Sequence, residues 1–304
     1  MDGFAPIELK DRQRMEQILA GNDIHASELT FAYLYMWQCD YRFQHVIRDG
    51  WLLVVSESTY DIPFALCPLP VDGRFDRTSF DQSVRWLQEQ FADAGKPLVF
   101  GRIEAARLPW FEGMARTEFT IERSDKTADY VYRGDDLREL PGRNYGPKRN
   151  HISQFLRQHP DYEVVDVGPE NLDECRRIID EWCRARNCTC GSPESCERYA
   201  CNRMLDVWEQ LDMSGILLKV DGKCEAFTIG ERLAGDTVAI RFEKGNADLH
   251  GIYAVLNRDY LLRKWPDAAY VNREEDMGLE GLRKAKQSYH PSHMVDKYTL
   301  FLQT

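Results

Sequence analysis

The densest run of ionisable residues lies between Tyr270 and Pro291. Asn272, Arg273 and three acids, Glu274, Glu275 and Asp276, follow a short β-type segment. Arg283, Lys284 and Lys286 come next on a helical one. An acid at a strand end can take a proton from an amine or hydroxyl nucleophile. Lys and Arg beside it can hold phosphate oxygens. Acids at a helix start also simply complement its dipole. At helical spacing Arg283, Lys284 and Lys286 cannot all share one face, so only part of the set lines any one site. Asp276 is a candidate base and Tyr289 a candidate proton donor to a leaving group. Asn272, Arg273, Arg283 and Lys286 are candidate substrate-binding residues.

Two further runs carry chemistry. Arg241 to Tyr253 reads as a strand, a loop and a helix start, with Glu243 a second candidate base or a strand-end salt-bridge partner. Such a junction can offer backbone amides to a pyrophosphate. Here it holds only Gly245 and Gly251, a sparse version of the acyl-CoA loop. From Pro141 to Pro160 there are four Lys or Arg residues and no Asp or Glu. Pro147 suits a first helical turn. Lys148 and Arg149 then stand at a helix N-terminus, where the dipole disfavours cations and free amides favour an anion. The run is a site for a phosphate or another anion, a solvated linker, or a partner for the acidic stretch from Asp161 to Glu174.

The chain has nine cysteines, and Cys183, Cys188, Cys190, Cys196 and Cys201 cluster. No paired CxxC knuckle occurs, although Cys-x-Cys can ligate one zinc ion. The alternative is a helix–loop–helix connection with small buried cysteines at its ends. No histidine lies close enough in sequence to suggest a nucleophilic cysteine.

The whole chain has 304 residues, 43% of them hydrophobic, which suits two ordinary domains or one large one and excludes a disordered or disulfide-stapled class. Its net charge is −11, which argues against a duplex-coating protein and leaves only a local basic patch for an RNA such as tRNA. No apolar run is long enough for a bilayer span, and no basic segment followed by an apolar one opens the sequence. The expectation is a cytoplasmic protein with no permanently bound cofactor.

Hairpins are expected at Asp49-Gly50 and Asp221-Gly222, each between β-type runs. Ser27 to Trp37, Thr78 to Ala92, Leu172 to Trp182, Met204 to Leu211, Ile252 to Leu262 and Gly278 to Gln287 read as helices. Phe64 to Cys67, Leu98 to Phe100, Glu118 to Glu122, Thr237 to Phe242, Ala268 to Val271 and Lys297 to Leu302 read as further strands. The two hairpins sit in similar contexts, which suggests two copies of one α+β unit. The densest turn composition, Tyr132 to Pro147, marks a boundary between residues 1–138 and 139–304.

Several of these runs resemble one family. Phe242-Glu-Lys, His250-Gly-Ile-Tyr, Asn272 to Pro291 and Lys297-Tyr298 look like the signature of the phosphatidylglycerol lysyltransferase C-terminal-domain family. Asp136-Leu137, Leu140, Gly142, Lys148-Arg149-Asn150, Phe155 and Pro160-Asp161-Tyr162 resemble its middle segment. The resemblance implies an α+β fold, a tandem pair of GNAT-like domains whose mixed central sheets are flanked by helices. It implies an acyltransferase with its site in the second half. The donor would be aminoacyl-tRNA or acyl-CoA, and the acceptor an amine or hydroxyl on a small molecule, peptide or lipid headgroup. Lys148, Arg149, Arg283 and Lys286 would hold phosphates. Alternatives are a non-catalytic GNAT-like binder of a ligand or tRNA, and a metal or redox sensor built on the cysteine cluster.

Overall fold

The computed structural model describes residues 1–58, 62–114, 118–186 and 197–303. The chain divides into two compact units, Met1–Asp129 with Val295–Thr304, and Tyr130–Met294. Each holds a mixed β-sheet with helices packed on it, the α+β class expected. No helix among the described residues is long and apolar enough to cross a membrane.

In the first unit the sheet runs Ala5–Pro6, Phe43–Arg48, Trp51–Ser56, Phe64–Ala65, Val99–Glu104, Lys297–Leu302, Phe119–Arg123. Asp49 and Gly50 sit at φ 48° and 83°, the left-handed pair a two-residue hairpin needs. The helix Arg77–Asp93 is capped by Asp76, whose carboxylate accepts from Ser79 N at 2.8 Å. Its face Phe80, Val84, Leu87 and Phe91 is buried against Trp51, Phe100 and Leu300. Each such side chain contributes about 1.5–3 kcal/mol by leaving water. The expected helix from Ser27 is shorter. It spans Phe31–Met36, with Thr30 as its cap. Ser27 instead gives its hydroxyl and amide to Asp129, at 2.9 and 2.8 Å.

Asp129 belongs to a buried ion cluster. Lys297 Nζ lies 2.6 Å from Asp129 and 2.5 Å from Glu28, and all three residues are fully buried. Arg102, itself at φ 58°, pairs with Glu28 at 2.5 Å. Burial alone would raise the Glu28 carboxyl. Lys297 and Arg102 outweigh it and hold the group at about 2.

In the second unit the sheet runs His293–Val295, Asp129–Arg133, Tyr270–Asn272, Thr237–Gly245, Lys223–Ala234, Met213–Val220, Glu163–Asp166. The core joins Tyr132, Leu137, Phe155, Ile216, Leu218, Val238, Val255 and Leu261. The turn-rich segment expected as a boundary lies inside this unit. Tyr132 is on a strand and fully buried, and Gly134–Glu139 is a short helix. The units divide at Asp129 and Tyr130 rather than at 138 and 139. The strand Lys297–Leu302, expected to end the second domain, pairs with Val99–Glu104 and Phe119–Arg123 in the first.

Candidate active site

The strand Thr237–Gly245 and the strand Tyr270–Asn272 are parallel neighbours, but their pairing stops at Ala239 and Asn272. The first strand continues for six residues past that point, and the second ends there. The backbone therefore opens into a gap between the two. Its other neighbour, Lys223–Ala234, pairs past a bulge that leaves Arg241 without a Cα partner. Arg241 turns into the protein, where Glu231 and Glu274 take its guanidinium at 2.8 and 2.7 Å.

Four side chains meet at the gap. Glu243 comes from one parting strand and Arg273 from the residue after the other, and they pair at 2.5 Å. Asn257, from the helix Ile252–Lys264, donates to Glu243 at 3.1 Å. The Arg273 guanidinium lies 4.8 Å from the Tyr289 ring centroid and 5.8 Å from that of Tyr132. Its Nε and Nη1 are enclosed with no hydrogen-bond partner among the described residues. Lys148 Nζ also rests on Tyr289, 3.9 Å from the centroid. Lys148 stands in the first turn of the helix Gly146–Gln158, with Pro147 at the start as the sequence indicated. Its ammonium is half-withdrawn from water and faces Arg273; burial and that charge lower its pKa to about 8. Burial pushes the Tyr289 phenol above its ordinary value, so it keeps its proton at neutral pH.

Beside Lys148 on its helix, His151 stacks edge-on to His250 with ring centroids 4.7 Å apart. Burial, then His250 and Lys148, lower the His151 pKa. Gly251 is the N-cap of the helix Ile252–Lys264 at φ 90°, and a Cβ there would lie 2.4 Å from the His151 carbonyl oxygen. Only glycine allows that approach.

The remaining candidates are engaged by neighbouring groups. Asn272 Oδ1 accepts from Glu274 N at 2.8 Å, shaping a turn in which Glu274 and Met277 adopt positive φ. Lys286 is buried beneath it and donates to the carbonyls of Arg273 and Glu274. It holds the turn rather than presenting a charge to a ligand. Asp276 is fully buried and accepts from Tyr130 Oη at 2.7 Å, Arg283 Nε at 2.7 Å and Gly278 N at 2.8 Å. Burial would raise its carboxyl, yet these bonds hold it at about 2. A carboxylate held so low is a weak proton acceptor. Arg283 is half-exposed but committed to Asp276. Arg149 is exposed and turns its guanidinium onto the Leu140 carbonyl. Glu243, Arg273, Tyr289 and Lys148 are thus brought together, while Asp276 with Arg283, Lys286 and Arg149 serve neighbouring backbone and side chains.

Of the cysteine cluster, Cys188, Cys190 and Cys196 lie outside the described residues. Cys201 is buried and its thiol is pushed well up by that burial. Sequence reasoning gave no role to Asn257, Tyr132, His151 or His250. A histidine in each of two glycine-rich helix starts was the available signal for the last pair.

The family model of the phosphatidylglycerol lysyltransferase C-terminal domain matches residues 21–301. The chain belongs to this family. A conserved protein of unknown function from Bacteroides thetaiotaomicron is 30% identical, with a TM-score of 0.91 and full coverage of both chains. L-PGS from Bacillus licheniformis shares the fold at 15% identity and a TM-score of 0.67, over 96% of this chain and 91% of that one. A tandem GNAT protein from the clavulanic acid biosynthesis pathway shares it at 13% identity and a TM-score of 0.53, over 99% and 97%. An uncharacterized protein of Mycoplasmoides gallisepticum is 22% identical over 198 residues, 63% of this chain. The match spans 60% of that curated relative's length. The family's architecture is therefore the GNAT-like one, and the parted parallel strands are part of it in this chain.

Proposed function

We propose that the second unit is an acyltransferase centre of the aminoacyl-transfer kind. It moves an aminoacyl group from aminoacyl-tRNA, or an acyl group from acyl-CoA, to an amine or hydroxyl acceptor. The acceptor is a small molecule, a peptide or a lipid headgroup. The observation that carries this reading is the gap beyond Ala239 and Asn272, with Glu243, Arg273, Tyr289 and Lys148 gathered around it. A carbonyl held there meets backbone along one edge and two cations beside it. Both features stabilise the negative oxygen that forms as a nucleophile attacks. Arg273 is suited to this role because two of its N–H groups are enclosed and unpaired among the described residues. Glu243 fixes the guanidinium in place and is itself held by Asn257. Membership of a lysyltransferase family supports an aminoacyl donor, and the sparse Gly245 to Gly251 loop weighs against acetyl-CoA.

The test is a transfer assay with bulk tRNA charged with labelled amino acids, run beside acetyl-CoA and longer acyl-CoAs. Acceptors are phosphatidylglycerol vesicles, short peptides with free amino termini and polyamines. Movement of label from one charged tRNA supports the reading and names the acyl group. Turnover of acyl-CoA alone moves the chain to ordinary GNAT chemistry. Stabilisation by charged tRNA in a thermal-shift measurement, with no transfer to any acceptor, leaves a binding module.

A further inference from the structure

We infer that Lys148 is the proton acceptor of the transfer, drawing the proton from the attacking amine or hydroxyl of the acceptor. The inference rests on the acyltransferase reading and assigns the step that reading leaves open. Acyl transfer to an amine or hydroxyl releases a proton from the nucleophile, and the site must receive it. The two carboxylates best placed by sequence are both engaged. Asp276 is taken by Arg283, Tyr130 and Gly278, and Glu243 by Arg273 and Asn257. Lys148 is different. Its Nζ lies on the face of Tyr289, and Arg273 lies against the same ring. Two cations on one aromatic ring, one of them half-buried, repel each other. The guanidinium cannot give up its charge, so the lysine is the group that yields. The other titratable groups around it are Tyr289 and Tyr132, which stay neutral, Glu243, which is paired to Arg273, and His151 with His250 on the adjoining turns. The lowered value of about 8 leaves a usable neutral fraction near neutral pH.

The step balances without a further reactant. The acceptor's nitrogen or oxygen bonds to the acyl carbon and loses its proton to Lys148 Nζ. The ester C–O bond then breaks. The proton reaches the leaving oxygen from the new ammonium. A cation that merely clamps phosphate would act the same as Lys or Arg, whereas a proton acceptor would not.

Two measurements test this on the full chain. Trace labelling with acetic anhydride across pH, read by mass spectrometry at Lys148, is expected to show a midpoint near 8. A midpoint above about 10, the range of an unperturbed lysine, overturns the proposal whatever the kinetics show. In single-turnover transfer from charged tRNA, wild-type rates should rise with pH and level off near 8. Lys148→Arg should lose about 100-fold or more, the scale of a general base, with donor KM within about threefold. Lys148→Arg transferring at the wild-type rate overturns the proton role and leaves the acyltransferase reading intact. Absence of transfer by the wild type from every donor overturns that reading, and the proposal with it.

Discussion

The two units each gather a lysine, an arginine and carboxylates, and they use them in opposite ways. In the first unit Lys297, Glu28, Asp129 and Arg102 are sealed together, with each charge against an opposite one. In the second, Lys148 and Arg273 lie on one tyrosine ring, and the carboxylate of Glu243 pairs with Arg273 alone of the two. The first arrangement is closed, and none of its four side chains has an orphaned buried polar atom among the described residues. The second has two cations to one carboxylate, and two enclosed N–H groups of Arg273 have no hydrogen-bond partner among the described residues. Residue type alone does not separate the two clusters; what separates them is whether every buried polar atom already has a partner.

The sharpest way to break this comparison is to replace both lysines by an apolar residue of similar length. Lys297→Met should destabilise by about 3–5 kcal/mol, because it strands two buried carboxylates. Urea unfolding followed by tryptophan fluorescence measures it. A loss under about 1 kcal/mol would mean the cluster relaxes to water and is not sealed. Next in size is Gly251→Ala. It forces a methyl group onto the His151 carbonyl at φ 90° and should lower stability by about 1–3 kcal/mol. It should also disturb the histidine pair, visible as shifted imidazole resonances in NMR.

Acid should act on both units. Glu28 and Asp276 have folded values near 2, below their unsubstituted values of 4.5 and 3.8. Groups depressed in this way add stability that is whole above the unfolded value and drains as pH falls through the folded one. Unfolding by circular dichroism should therefore set in below about pH 4.5 and progress toward 2. Asp276→Asn should flatten the part of that limb that belongs to the second unit. The smallest effect is Lys148→Met. Lys148 is depressed from 10.5 to about 8, so wild-type stability falls as pH drops from 10.5 through 8 and is level below that. At pH 7 the variant should be within about 1 kcal/mol of wild type or above it, and any advantage should vanish near pH 10.5. A loss as large as that of Lys297→Met would erase the distinction between the two lysines.

Local chemistry made much of the fold legible. Both Asp-Gly hairpins form, and Asp221 and Gly222 show the positive φ their types allow. The helix Arg77–Asp93 buries the face its spacing gave, and Pro147 starts its helix. Pairings between distant residues were not legible. Lys297–Leu302 reads as a strand, but nothing in six residues tells which sheet it joins. The strands Asp129–Arg133 and Glu163–Asp166 were missed because turn residues or acids surround them. In the site, Glu243, Arg273, Lys148 and Tyr289 were each visible as chemistry. Their meeting was not, because it depends on where two strands part. Lys286 was misread for the same reason, since a lysine's charge in sequence does not reveal that its partners are backbone carbonyls.

The route of the last strand has a consequence for synthesis. Lys297–Leu302 fills the place between Val99–Glu104 and Phe119–Arg123 in the first unit's sheet. On the ribosome, residues 130–294 emerge before that place can be filled. Domains ordinarily finish in order of emergence. Here the unit begun first is completed last. Until then it presents two strand edges to the crowded cell, the form most exposed to mispairing. Chaperone dependence should therefore track the first unit, although the proposed chemistry lies in the second.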